Sequence, residues 1–120
     1  MDEYEDIDRE VLRAKIEDRE ENFTLLEVLP KADYDKAHLP DAINIPLEEI
    51  ELLVPGLVPN KWEDLVVYCE GPSGDASEKA ARVLLSLGYK NVKRYPGGKA
   101  DWIGAGLPVE SNEEYTGRVA

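Results

Sequence analysis

Cys69 is the only cysteine in the chain, and it directly follows Leu65-Val66-Val67-Tyr68, the clearest buried strand in the sequence. The next residues, Glu70-Gly71-Pro72-Ser73-Gly74, read as a loop. Asp75-Ala76-Ser77-Glu78 then has the form of a capping box that opens a helix. A thiol between a strand end and a helix start is placed for nucleophilic work, in which the thiolate is the reactive form. A buried structural thiol is the competing reading, because free cysteine is among the most buried residue types. Its position before a glycine-containing loop favours reactivity.

Other residues invite chemistry less strongly. Asp75 reads as an N-cap rather than a catalytic acid, given Glu78 three residues on. Glu78 and Arg82 are spaced as a solvated i,i+4 pair. Ser73 serves the turn or donates to a bound anion, with the turn favoured. His38, flanked by Leu39-Pro40, is expected to be a hydrogen-bonded framework histidine rather than a general base. Trp102 is expected in the core or a pocket wall. Lys99 either faces the site or is an exposed lysine.

The elements that must position Cys69 follow from the pattern. Asp8 caps a helix through about Asp18, with Val11, Leu12 and Ile16 as its apolar stripe. Phe23–Leu29 is a strand apolar enough to be buried on both faces, ended by Pro30. A helical turn at Asp33–Ala37 leads to a short strand, Ala42–Ile45. Leu47–Leu53 is a helix, and Pro55-Gly56-Leu57-Val58-Pro59-Asn60 is turn-rich. The helix opened by Asp75 runs to about Leu87 and stops at Gly88, with Ala80, Ala81, Leu84 and Leu85 close to the sheet. Asn91–Tyr95 is a further strand, and Gly97-Gly98 precedes the last helix. Strands alternating with helices predict an α/β fold: a central parallel sheet of about five strands, flanked by helices on both faces. Ligand sites in such sheets lie outside the carboxyl ends of the strands.

At 120 residues the chain fits one domain over 1–120, with a core of about 7–110, an acidic N-terminal end and a short C-terminal tail. The net charge of −12 opposes nucleic-acid binding. No apolar run approaches a membrane span, and Met1–Asp6 lacks the form of a secretory signal, so a cytoplasmic location is expected. One cysteine excludes an internal disulfide, and one histidine beside it excludes the ordinary zinc sites, so no metal is expected. Charge is unevenly spread: residues 1–78 carry −15, 79–99 carry +6 and 100–120 carry −3. The basic stretch (Lys79, Arg82, Lys90, Lys93, Arg94, Lys99) is either a solvated surface or a docking, anion-attracting face.

From about Ile7 to Glu110 the chain resembles a rhodanese-like domain of the single-domain sulfurtransferases. The resemblance rests on Leu25-Leu26-Glu27-Val28, Ala37–Pro46, Val66-Val67-Tyr68-Cys69, Leu87–Val92, Gly97–Trp102 and Ala105–Glu110, in that order and spacing. It implies a transferase whose Cys69 accepts sulfane sulfur as a persulfide and passes it to a nucleophile, with no cofactor. The implied partners are a small sulfur donor and a thiol, cyanide or sulfur-relay protein as acceptor. A monomer or weak dimer is the expected state. By analogy Glu70, Gly71, Pro72, Ser73, Gly74 and Asp75 form the substrate-binding loop, whose N–H groups and helix dipole make an anion nest for the sulfur.

Four departures stand out. The loop is about two residues longer than in the commonest members it resembles, and it lacks the arginine many of them carry. It holds two acids, Glu70 and Asp75. Glu27 and Leu29 replace the usual Asp and Arg after the first buried strand, a change expected to bear on folding. A carboxylate about 6 Å from the thiolate costs about 1–3 kcal/mol, against up to about 2 kcal/mol from a helix N-terminus. Glu70 is therefore expected to offset much of the nest. Two alternatives remain. Phosphatases and arsenate reductases use similar cysteine loops but need a loop arginine for the dianion. A weakly active module serving protein binding or regulation is compatible with both acids.

Overall fold

The computed structural model describes residues 3–112. The N-terminal Met1-Asp2 and the tail from Glu113, with Arg118, lie outside the described residues. The chain runs β1 (Glu5–Asp6), α1 (Arg9–Glu17), β2 (Phe23–Glu27), α2 (Lys31–Lys36), β3 (Ile43–Asn44), a 3-10 turn (Leu47–Glu49), α3 (Ile50–Leu57), β4 (Asp64–Tyr68), α4 (Ala76–Ser86), β5 (Val92–Arg94) and α5 (Gly98–Gly104). The five strands form one sheet in the order β1-β5-β4-β2-β3, and every pairing is parallel.

Alternation along β4 explains the two layers. Leu65, Val67 and Cys69 point to the face where Ile50 and Val54 of α3 and Ala80, Ala81 and Leu84 of α4 pack. Val66 and Tyr68 point to the other, against Leu12 of α1, Leu39 and Trp102 of α5. The chain leaves β2 for β3 on one side and leaves β4 for β5 on the other. The carboxyl ends of β2 and β4 thus flank a topological switch point, where open α/β sheets place their ligands. Cys69 sits there.

Local chemistry sets the boundaries. Asp8 accepts from the Val11 N–H at 2.9 Å and starts α1 as expected, although only Leu12 of its apolar stripe is fully buried and Val11 is exposed. Gly88, at φ +97°, supplies the left-handed residue after α4. The stretch Pro55-Gly56-Leu57 is helical rather than a turn. Ile50 and Val54, both fully buried, draw α3 onto the core, and the Val58 N–H closes on the Val54 carbonyl at 2.7 Å. Pro55 removes only one hydrogen bond near the end of this short helix.

The chain buries a charge pair on the α1/α5 side. Glu27 is fully buried, accepting from the Tyr68 hydroxyl at 2.6 Å and from Lys99 Nζ at 2.9 Å. Lys99 also donates to the Asp33 carbonyl at 3.0 Å, so it neither faces the cysteine nor is exposed. Burial raises the Glu27 carboxyl above its ordinary value, though the Tyr68 hydroxyl and the Lys99 ammonium pull it back. Burial, with Glu27 beside it, pushes the Tyr68 phenol up. The Glu27 half of the fourth departure is thus a framework feature.

Candidate active site

β4 delivers Cys69 to the sheet end with 2% of its surface exposed. The loop closes over it as a turn, with the Gly74 N–H on the Gly71 carbonyl at 3.2 Å. A Cβ on Gly74 would lie 3.6 Å from the sulfur, so this glycine packs directly against it. The loop is anchored from the α5 side: the Lys99 and Ala100 N–H groups donate to the Cys69 and Glu70 carbonyls at 2.9 and 2.8 Å. Gly98, at φ +65°, makes that approach feasible, because a Cβ there would stand 2.6 Å from the Cys69 carbonyl oxygen.

Among the described residues the hydrogen-bonding groups at Sγ are Ser77 Oγ at 3.5 Å and the Gly71 carbonyl at 4.0 Å. Of the loop's own N–H groups, that of Gly74 turns back to the Gly71 carbonyl and not to the sulfur. A hydroxyl faces it instead. Ser77 comes from the first turn of α4 and is 1% exposed, whereas Ser73 lies on the surface. Ser77 Oγ also accepts from Arg94 Nε of β5 at 2.9 Å. In the sequence Ser77 stood out only as part of the capping-box segment, and Arg94 only as one of the basic stretch. Ser77 was legible as the polar member of the buried stripe it shares with Ala80, Ala81 and Leu84.

The remaining loop residues lie further out. Glu70, Pro72, Ser73 and Asp75 are exposed, and Gly71 is buried. Asp75 stands at the N-cap of α4, but the capping box does not form. Its backbone (φ −111°, ψ 5°) is not extended, and its carboxylate pairs with Lys79 at 3.3 Å. A cap needs an extended residue to carry the side chain over the N2 and N3 amides. Asp75→Ala is accordingly expected to change stability by less than about 0.5 kcal/mol in urea unfolding. A loss above about 1 kcal/mol would restore the cap.

His38 is a framework residue as expected. It is 3% exposed, its Nδ1 lies 2.7 Å from the Tyr34 carbonyl, and its ring stacks on Tyr34 at 3.7 Å. Its backbone pairs antiparallel with Glu110, tying down the chain beyond α5. Trp102 is core, its indole N–H on the Pro108 carbonyl at 2.8 Å.

The basic stretch does not form one open face. Lys79 pairs with Asp75, Arg82 with Glu78, Lys93 with Asp64 and Lys99 with Glu27, while Arg94 bonds Ser77. No group of three or more His, Cys, Asp or Glu is placed to hold a metal ion among the described residues. No helix among them is long and apolar enough to cross a membrane.

Comparison with known proteins agrees with this architecture. The family model for the rhodanese-like domain matches residues 8–105. A protein named Sulfurtransferase from Allochromatium vinosum is 31% identical over 108 residues, covering 90% of this chain and 96% of that one. The HTH-type transcriptional regulator Rv0324 of Mycobacterium tuberculosis is 35% identical over 102 residues, covering 83% of this chain. Of two of the curated relatives it matches, this chain spans only about half the length, 44% and 51%. The crystal structure of BH2092 protein from Bacillus halodurans superposes with a TM-score of 0.83 at 29% identity, covering 91% of this chain and 77% of that one.

Proposed function

The chain belongs to the rhodanese-like domain family, and from that premise we propose that it transfers sulfane sulfur through a persulfide on Cys69. The observation that carries this reading is the place of Cys69: beyond the carboxyl end of β4, at the switch point, with the Ser77 hydroxyl 3.5 Å from its sulfur. Relatives named for sulfurtransferase activity support it.

In the first step the Cys69 thiolate attacks the outer sulfur of the donor. For thiosulfate the S–S bond breaks and sulfite leaves with the electron pair, so Cys69 becomes a persulfide. An acceptor thiolate then attacks the terminal sulfur, forming its own persulfide, and the Cys69 thiolate leaves. No electrons enter or leave the system. Ser77 donates to the sulfur at both stages. Because Gly71–Gly74 closes over Sγ, the donor must displace that turn.

Intact-protein and peptide mass spectrometry after incubation with thiosulfate, or with a low-charge persulfide, tests the reading. A gain of about 32 Da on the Cys69 peptide is expected. The 2% exposure of Cys69 favours a second reading, a weakly active binding module. Absence of the gain with both donors would establish it over the transferase.

Donor choice follows from the loop's charge. A thiosulfate dianion meets the exposed carboxylates of Glu70 and Asp75, and no loop residue from 70 to 75 is cationic. Low-charge persulfides are therefore expected to be the better donors. Glu70→Gln should raise kcat/KM for thiosulfate about two-fold at low ionic strength, with the gain vanishing near 0.5 M salt. An unchanged salt dependence would show that Glu70 has no part in donor selection.

A further inference from the structure

The loop around Cys69 carries no cation, yet a guanidinium reaches the sulfur from another direction. We propose that Arg94 is a positioning residue that supplies this missing positive charge through the hydroxyl of Ser77. The inference rests on the reading of Cys69 as the reacting thiol.

Strand register puts Arg94 in place. β4 and β5 are parallel neighbours with Val67 opposite Arg94. Cys69 follows Val67 by two residues and therefore shares its face, and Val92, two residues before Arg94, lies in the same core cluster. The guanidinium so emerges beside Cys69, beneath the first turn of α4, with only 14% of its side chain exposed. There its Nε donates to Ser77 Oγ at 2.9 Å, and Oγ lies 3.5 Å from Cys69 Sγ. Those two legs place Nε no farther than 6.4 Å from the sulfur.

The hydrogen-bonding roles are constrained. A guanidinium has donors only, so it always occupies a lone pair of Oγ. With the thiol present, S–H donates to the other lone pair. Once the thiol ionises, the contact reverses and the Ser77 hydroxyl donates to sulfur, while its oxygen keeps the bond from Arg94. The hydrogen bond from a cation polarises the hydroxyl and strengthens its donation. The same geometry serves a persulfide anion.

The other charges nearby do not perform this task. Asp6 of β1 lies 3.9 Å from Arg94 and offsets part of its charge. Glu70 and Asp75 are exposed acids of the loop, and Lys79 is held by Asp75. Glu78 pairs with Arg82 on the exposed side of α4, and Lys99 turns to Glu27 on the opposite face of the sheet.

The test uses the single cysteine as its own probe. The rate of Cys69 alkylation by iodoacetamide is followed against pH in the wild type, Arg94→Gln, Arg94→Lys, Ser77→Ala and the Arg94→Gln/Ser77→Ala double variant, each checked for a cooperative melt. Arg94→Gln and Ser77→Ala should each move the alkylation midpoint up by about one pH unit. The double variant should move it little further than the larger single change, and Arg94→Lys should recover part of the shift. A folded Arg94→Gln protein with an unmoved midpoint would overturn the proposal, and so would fully additive shifts. Alkylation requires no sulfur transfer, so a wild type that gains no sulfur would remove the transferase reading while leaving this result readable.

Discussion

Cys69→Ser should reduce sulfur transfer to the uncatalysed background while leaving the melting temperature within a few degrees of the wild type. The two halves of this expectation have different origins. Transfer requires an S–S bond at residue 69, and a serine hydroxyl cannot form one. Its alkoxide is also scarcely populated near neutral pH, whereas a thiol is within reach of ionisation. The fold half follows from packing. The side chain keeps its shape, and both groups near Sγ, the Ser77 hydroxyl at 3.5 Å and the Gly71 carbonyl at 4.0 Å, can hydrogen-bond to a hydroxyl. A buried hydroxyl with partners costs little beyond the lost sulfur contacts. The checks are kcat/KM with thiosulfate and with a persulfide donor, peptide mass at residue 69, and a thermal melt. Appreciable transfer by a folded Cys69→Ser protein would place the sulfur elsewhere and end the persulfide mechanism.

Four of the five strands and the place of the thiol were legible because they depend on local pattern, whereas β1, the acidic pair Glu5–Asp6, carries no apolar signal. The apolar run ending at Tyr68 could only be a buried strand, and the only cysteine followed it. The helix start at Asp75 was legible for the same reason, but its hydrogen bonds were not. A capping box is a statement about backbone angles, and the turn Gly71–Gly74 delivers Asp75 with ψ near 5°, facing its carboxylate to Lys79. Pro55-Gly56 misled in the other direction. Their turn propensity is overridden by burial of Ile50 and Val54.

What stayed hidden was the partner of each buried polar group. Ser77 lay on the buried stripe of α4, a position that demands a partner. That partner is Arg94, and finding it requires the pairing of Val67 with Arg94, which no local pattern encodes. Reading the basic stretch by its charge alone suggested a surface. Pairing instead distributes those residues over both faces of the sheet and over α4.

Lys99→Met should cost about 3–5 kcal/mol, because it removes the ammonium and leaves the Glu27 carboxyl buried without its cation. For a domain of 120 residues this is a lowering of the melting temperature by roughly 10–20 °C. Methionine keeps the length of the chain, so loss of packing is small and what is lost is the ammonium with its bonds to Glu27 and to the Asp33 carbonyl. The pH dependence gives the sharper signature. Burial already holds the Glu27 carboxyl above its ordinary value of 4.5. A folded-state value raised in this way gives stability that is fully present below 4.5 and lost as pH rises through the raised value. Without Lys99 the carboxyl rises further, so the loss extends over a wider window. The difference between wild type and Lys99→Met should therefore be small near pH 4 and grow towards pH 8. Glu27→Gln placed in the Lys99→Met background removes the buried charge while keeping an acceptor for the Tyr68 hydroxyl, which now lies 2.6 Å from Glu27. It should recover at least about half of the loss at pH 8 and flatten the pH dependence. Urea unfolding of the three proteins at pH 4, 6 and 8 measures all of this. A loss below about 1 kcal/mol at pH 8, or one that does not vary with pH, would mean that Glu27 is already protonated in the native wild type and that Lys99 holds the fold only through the Asp33 carbonyl.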